Sequence, residues 1–334
     1  MTRIAILGGG SWGTALSIVL SRGQASHKLS LWIHDPALAE AVKREGENKV
    51  YLPGFKIPSE VSVSSDECES LRGAEVILGV MPAPHARAVY TRVMPHIPQD
   101  AVFVSATKGL EPGTHARVSE VLTQVVAPQF TSRIAVLSGP SFAAEAARGD
   151  PTAVVLASRD PALAARLQEQ LAGPAFRLYT NEDVLGVELA GAMKNVIAIA
   201  AGACQGIGLG SNSLAALITR GLAEMTRLAV KLGAAPETLS GLAGLGDLVL
   251  TCTGALSRNR HVGIEIGKGR NLAEILAGMR MVAEGVATTD ALLDLARASM
   301  IEMPITEQVH AILHGERSPR DAIRAIMERP LKSE

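Results

Sequence analysis

One short stretch constrains this chain more than any other. In "IAILGGGSWGTALSIVL", Ile4 to Leu20, an apolar run meets a cluster of glycines and then an uninterrupted helix-forming segment. Three readings compete: a secretory signal, a buried hairpin of core structure, or a phosphate cradle. Arg3 ahead of an apolar run suits a signal, but Gly8, Gly9, Gly10 and Gly13 interrupt it where helix formers are needed, and no small-residue cleavage site follows. Ile4 to Leu7 reads as a strand buried on both faces, and Thr14 to Leu20 as a helix ending near Gly23. Strand, Gly8-x-Gly10-x-x-Gly13, helix is the context of a dinucleotide fingerprint. One glycine permits the tight turn, the next lets a pyrophosphate approach the backbone, the third lets helix lie on strand, and the helix amides face the phosphates.

The rest of the chain must then supply a sheet and a substrate site. A length of 334 residues suits about two domains. With 47% hydrophobic and 19% charged residues and a formal net charge of -1, the composition is that of a soluble globular protein. No basic cluster and only 3% aromatic residues argue against nucleic acid. Cys68, Cys204 and Cys252 form no CxxC pair, so neither a disulfide framework nor a zinc site is indicated, no metal is expected, and a reducing cytoplasm is the natural setting. No uninterrupted apolar segment approaches the roughly 20 residues that cross a bilayer, so no membrane insertion is expected.

Short apolar runs alternate with helical stretches through about residue 180: Leu29 to Ile33, Val76 to Val80, Ala101 to Ala106, Ile134 to Leu137 and Ala153 to Ala157. That alternation predicts an α/β domain, a Rossmann-like, doubly wound, mostly parallel sheet over 1–185. From about Asp183 long Ala/Leu/Ile/Met stretches take over, predicting an all-helical substrate-binding domain over 186–334, entered along a continuous helix. The second domain is expected to close over the cofactor at the carboxyl ends of the strands and to supply substrate contacts.

Several side chains stand where chemistry would be done. In "LSLWIHDPALAEAV", Asp35 could hold a ribose 2′-hydroxyl, but Asp35-Pro36 also reads as a helix cap followed by proline, and the cap is preferred. His34 is then the side chain nearest a 2′-phosphate, so NADPH should be accepted. "VSATKGLEPG" places Lys108 just past a strand, as a ligand-holding or a merely solvated loop lysine. In "LSGPSFAAEAARGDPTA", Gly139, Ser141 and Ala143 follow a strand and enter a helix. Lys194 is the one charge in "LAGAMKNVIAIAAGAC"; buried, it suits a proton donor, and equally a structural lysine paired with Asp247, the lonely charge of "GLAGLGDLVLTC". In "TGALSRNRHVGIEIGKG", Ser257 can cap a helix whose first turn holds Arg258, Asn259 and Arg260, which suits a phosphate or, more blandly, a solvated basic turn. Val282 and Glu284 lie in a loop ahead of a helix and say little alone.

Taken together, "GGGSWGTAL", "SATKGLE", "SGPSFAAE", "ELAGAMKNVIAIAAG", "GLAGLGDLVLTC", "SRNRHVG" and "VAEGVATT" closely resemble NAD(P)-dependent glycerol-3-phosphate dehydrogenases of the bacterial type, essentially end to end. The resemblance implies reversible reduction of dihydroxyacetone phosphate to sn-glycerol 3-phosphate with NADP or NAD as cofactor, in a cytoplasmic homodimer feeding glycerophospholipid synthesis. It puts Gly8, Gly10, Ser11, Trp12, Gly13, His34, Lys108, Ala143, Arg258, Val282 and Glu284 on cofactor positions. Lys108, Gly139, Ser141, Lys194, Asp247, Ser257, Arg258 and Asn259 fall on substrate positions, with Lys194 handling the proton and Asp247 and Lys108 assisting it. Ser141 stands where threonine also occurs, and His34 where arginine is common, which loosens any NADP preference. A related dehydrogenase acting on a hydroxy acid would need a carboxylate clamp in place of "SRNRHVG". A nucleotide-sensing regulator would have no use for the lysine and aspartate.

Overall fold

Strand β1, Thr2–Leu7, shows why the first half of the chain forms a sheet covered on both sides. Ile4 and Ile6 feed one hydrophobic cluster while Ala5 and Leu7 feed another, because successive side chains of a strand point to opposite faces. Seven further strands follow: β2 His27–Trp32, β3 Ser62–Ser64, β4 Val76–Gly79, β5 Val102–Ser105, β6 Ile134–Ser138, β7 Thr152–Ala157 and β8 Phe176–Asn181. They lie in the order β3-β2-β1-β4-β5-β6-β7-β8, parallel throughout except that β6 and β7 are antiparallel. The chain runs outward from β1 through β2 to β3 and then crosses back to β4, so the sheet's switch point lies beside the carboxyl end of β1, where the glycines are.

These features belong to a computed structural model that describes residues 1–23, 25–130, 133–279 and 282–331. The chain divides into two units, Met1–Glu111 with Ala116–Glu188, and Pro112–His115 with Leu189–Glu334. The five strands expected after β1 are all present, with β2 ending at Trp32 rather than at Ile33. Two more were not anticipated. Strand β3 is three residues of mostly polar sequence, and β8 alternates buried and exposed residues, so neither makes a continuous apolar run. The excursion of Pro112–His115 into the second unit had no signal in the sequence either.

Among the described residues the second unit is helical. Its spine is Val184–Gly206, 23 residues, long and apolar enough to cross a membrane. That corrects the expectation that no segment comes near this length; the apolar surface is spent inside the protein, with 89% of its most apolar window buried. Helix Arg258–Gly267 crosses the spine at backbone contact. A Cβ on Gly202 would run into the carbonyl of Arg260, and one on Gly263 into the carbonyl of Ile199. Gly206 and Gly267 meet in the same way, a Cβ on either lying 2.8 Å from the other's Cα. The next helix but one, Glu284–Ser299, also starts on the spine, where a side chain on Gly285 would meet the Asn195 carbonyl at 2.7 Å. A buried carboxylate fastens a third helix: Glu224, on Ser211–Lys231, accepts from the amides of Ile305 at 2.8 Å and Thr306 at 2.9 Å, the first turn of Pro304–Leu313.

Gly263→Ala should therefore destabilise the protein by about 1–3 kcal/mol, the usual cost of overpacking, because the atom it meets is backbone and cannot rotate away. Urea unfolding measures this; an unchanged midpoint would mean that the helices part without cost.

Candidate active site

The glycine loop has two kinds of glycine. Gly8 has φ +128, and a side chain there would lie 2.8 Å from the Val80 carbonyl, while a side chain on Gly13 would strike the Gly8 carbonyl. The fold itself demands both. Gly10 differs: its backbone is extended, with φ -75 and ψ -172, and nothing lies within 4 Å of where its Cβ would be. The protein does not need glycine there, but a pyrophosphate approaching the backbone does. Gly10 also caps helix Ser11–Ser21 without offering a side chain, so the first amides of that helix, those of Ser11, Trp12 and Gly13, are presented at the loop. This cradle fits a dinucleotide.

Residues that sequence reasoning missed brace the cradle. Fully buried Asn48 donates to the Gly9 carbonyl at 2.8 Å and to Thr14 Oγ1 at 2.9 Å, and Ser11 Oγ donates to the Tyr51 carbonyl at 2.6 Å. The Trp12 ring is turned toward the core, 6.4 Å from Phe176, so this residue brings its amide to the loop and its indole to the packing.

Past β2, Asp35 is a helix cap, accepting from the amides of Ala37 at 2.9 Å and Leu38 at 3.2 Å. His34 is exposed and packs against Trp32 with ring centroids 5.8 Å apart and planes inclined at 52°. Arg92, which no sequence argument singled out, lies over the Trp32 ring and brings Nη2 within 3.4 Å of His34 Nδ1. Its Nε pairs with Glu67 at 2.8 Å.

At the carboxyl ends of β5 and β6 two side chains converge on one carbonyl. Lys108 Nζ and Ser141 Oγ both donate to Gly139 O, each at 3.0 Å. Gly139 takes φ +129, where a side chain would press on the Val154 backbone at 3.1 Å. Ala143 opens helix Ala143–Arg148, which packs along Ser11–Ser21, and Arg22 Nη1 clamps the two by donating to the Ala147 carbonyl at 2.7 Å.

In the second unit Lys194 and Asp247 form an ion pair of 3.0 Å with only 6% and 2% of their side chains exposed. Asp247 follows a widened turn, Leu242–Gly246, in which the Gly246 amide reaches back to the Gly241 carbonyl, and it is the first residue of helix Asp247–Thr253. One helical turn on, Thr251 Oγ1 accepts from Lys194 Nζ at 2.9 Å and donates to the Asp247 main-chain carbonyl at 2.6 Å. Thr251 was not expected, since a threonine inside "DLVLTC" carries no signal by itself. The neighbouring Cys252 is sealed in, and burial pushes its thiol up to about 12, which removes it as a nucleophile.

The basic turn is an ordered helix start. Ser257 caps Arg258–Gly267 by accepting from the Arg260 amide at 3.2 Å. Asn259 is buried, and its Oδ1 accepts from the Gly285 amide at 2.9 Å, which leaves the amide NH2 as its donor end. Exposed Arg258 donates from Nη1 to the Val282 carbonyl at 2.9 Å, tying the turn to the segment just before Glu284, the first residue of helix Glu284–Ser299. The second unit thus groups Lys194 with Asp247, and Ser257, Arg258 and Asn259 with Val282 and Gly285; the first groups the glycine loop, and Lys108 with Gly139 and Ser141.

Known proteins match this chain along its whole length. The models for the N-terminus and the C-terminus of NAD-dependent glycerol-3-phosphate dehydrogenase match residues 3–164 and 183–324. The glycerol-3-phosphate dehydrogenase (NAD(P)+) of Koribacter versatilis is 55% identical, across 100% of this chain and 99% of its own. That of Acidobacterium capsulatum is 52% identical, with both chains covered in full. The crystal structure of the glycerol-3-phosphate dehydrogenase from Coxiella burnetii superposes with a TM-score of 0.91 at 43% identity, covering 98% of this chain and 99% of that one. This chain belongs to the NAD-dependent glycerol-3-phosphate dehydrogenase family.

Proposed function

We propose that the protein reduces dihydroxyacetone phosphate to sn-glycerol 3-phosphate, reversibly and with NADPH or NADH, and that its product feeds glycerophospholipid synthesis. The observation that carries this reading is the sealed Lys194–Asp247 pair in the same unit as a capped, basic helix start. A ketone and a phosphate ask for those two things, a proton and an anion site. The nicotinamide cofactor, when bound, supplies the hydride. Gly8, Gly10, Ser11, Trp12 and Gly13 would cradle its pyrophosphate, and the family likeness assigns His34, Lys108, Ala143, Arg258, Val282 and Glu284 to its remaining contacts.

Lys194 donates the proton that the forming alkoxide takes up. Asp247 compensates the ammonium before the substrate arrives and, with Thr251 Oγ1, fixes the direction in which Nζ points. The phosphate is held by the Arg258 guanidinium, the Asn259 amide and the amides after Ser257 at the helix start. Lys108, positioned by the Gly139 carbonyl beside Ser141, polarises the substrate carbonyl. The reading extends to a cytoplasmic homodimer, for which the support is the family likeness together with three dispersed free cysteines.

Three outcomes are expected. Gly10→Val should leave stability nearly unchanged, since nothing in the protein occupies that space, but should weaken NADPH and NADH at least tenfold, or ~1.4 kcal/mol, in fluorescence titrations. Equal affinity in the variant would mean that no phosphate lies over Gly10.

Lys194→Ala should lose turnover by ~10²-fold or more with cofactor affinity retained. It also strands a buried carboxylate, at a cost of about 3–5 kcal/mol. The double variant Lys194→Ala/Asp247→Asn removes that charge, so it should recover stability and still lack turnover. If activity returns together with stability, the lysine is structural.

Arg258→Ala should lower kcat/KM for dihydroxyacetone phosphate at least tenfold, as expected for a charge-assisted bond of roughly 1.5–3 kcal/mol. Unphosphorylated dihydroxyacetone, at saturating NADPH, should hardly respond. An equal loss for both ketones would place the phosphate elsewhere.

A further inference from the structure

The helical unit carries a cluster of side chains that the dehydrogenase reaction does not use. His310, on helix Pro304–Leu313, and His314, which caps its C-terminus, stand four residues apart on one face. Across from them, on helix Glu284–Ser299, is Asp290. His314 Nε2 lies 3.1 Å and His310 Nε2 3.5 Å from the same carboxylate oxygen, Asp290 Oδ1. The two imidazole centroids are 4.2 Å apart with planes inclined at 38°, so both rings turn the same nitrogen toward one point. Among the described residues this is the one group of three or more His, Cys, Asp or Glu whose ligand atoms come within 4.8 Å of one another.

We infer that Asp290, His310 and His314 form a binding site for a late first-row divalent cation such as Zn²⁺. Zinc bonds to imidazole nitrogen and carboxylate oxygen are about 2.0–2.2 Å long, so ligand atoms at tetrahedral angles stand roughly 3.3–3.5 Å apart. The 3.5 Å separation matches such an edge, the 3.1 Å separation is slightly shorter than one, and all three ligand atoms lie within 4.8 Å of one another. Two imidazoles and one carboxylate favour zinc, cobalt, nickel or copper over magnesium or calcium, which prefer oxygen ligands throughout. With side chains 27%, 48% and 53% exposed, the site is open to an ion and to the water that completes its coordination.

Both supporting helices are already fixed at their starts, Pro304–Leu313 by Glu224 and Glu284–Ser299 by Asn259. Less ordering of the ligands is then required when an ion arrives. Asp290 lies six residues along the helix from Glu284, so a bound ion would tie the helix that begins beside Arg258 and Val282 to Pro304–Leu313.

A thiol–imidazole pair could compete for the same ions: Cys68 Sγ lies 3.0 Å from His96 Nδ1 and is exposed. The experiment therefore starts from untagged, full-length Cys68→Ser protein stripped with chelator. Titration with Zn²⁺ by calorimetry should show one equivalent bound, with none for Mg²⁺. Co²⁺ at the same site should give the visible absorption bands of a tetrahedral ion. His310→Gln and His314→Gln, which replace a half-buried and an exposed ring outside the hydrophobic core, should each abolish the equivalent and the cobalt bands. Both variants should melt at the parent's temperature without metal, and Zn²⁺ should raise the melting temperature of the parent alone. No equivalent bound by the Cys68→Ser parent, or the same stoichiometry and cobalt spectrum in either glutamine variant, would overturn the site.

Discussion

The functional half of this protein depends on how closely two helices cross. Val184–Gly206 and Arg258–Gly267 touch through Gly202, Gly206, Gly263 and Gly267, at a separation that admits no side chain on either helix. Lys194 and Asn195 project from the same spine about two turns before the crossing. With the helices held at contact distance, the capped start at Ser257 is fixed relative to Lys194, and Asn259 comes within reach of the Gly285 amide at 2.9 Å. A wider crossing would leave each motif intact locally while moving the capped start at Ser257 and Asn259 away from Lys194. Displacements of about 1 Å at such a distance from the reacting atoms can cost two orders of magnitude in rate.

The glycine loop of the first unit solves a similar problem with different means. There, Gly8 and Gly13 serve the fold, Gly10 leaves room for a ligand, and Asn48 holds the loop from below with both ends of its amide engaged. A loop built only from glycines would pay a large entropy cost to stay in one conformation. Asn48 offsets it by pinning Gly9 and Thr14 to the segment that runs on to Tyr51, which in turn accepts from Ser11.

What could be read in the sequence follows the range of the interactions. The cofactor loop was legible because strand, glycines and helix lie within some twenty consecutive residues. Lys194 and Asp247 were legible because each is a lone charge in an apolar context, even though 53 positions separate them. Strands β3 and β8 were hidden by their polar faces. Asn48, Thr251 and Arg92 were hidden for a different reason, that each is an ordinary polar residue in its own segment and acquires its role only from a distant partner. The pairing of His310 and His314 is visible as a four-residue spacing, but the third ligand, Asp290, is brought in by the packing of a separate helix.

Energetics also bears on why the Lys194–Asp247 pair exists. An exposed ion pair such as Arg44–Glu45 is screened by water and contributes little, so removing it would cost little. A sealed pair has paid a desolvation penalty that its own attraction only partly returns, so apolar side chains of similar volume would hold the two helices equally well or better. Stability therefore gives no reason for a lysine and an aspartate in this position. The proton-donor role proposed for Lys194 does: it asks for an ammonium kept dry enough to act on a forming alkoxide, with a fixed carboxylate and a threonine hydroxyl to hold it in place until the substrate arrives. The same reasoning separates the two roles experimentally, because an uncharged pair can restore the fold and still be unable to supply the proton.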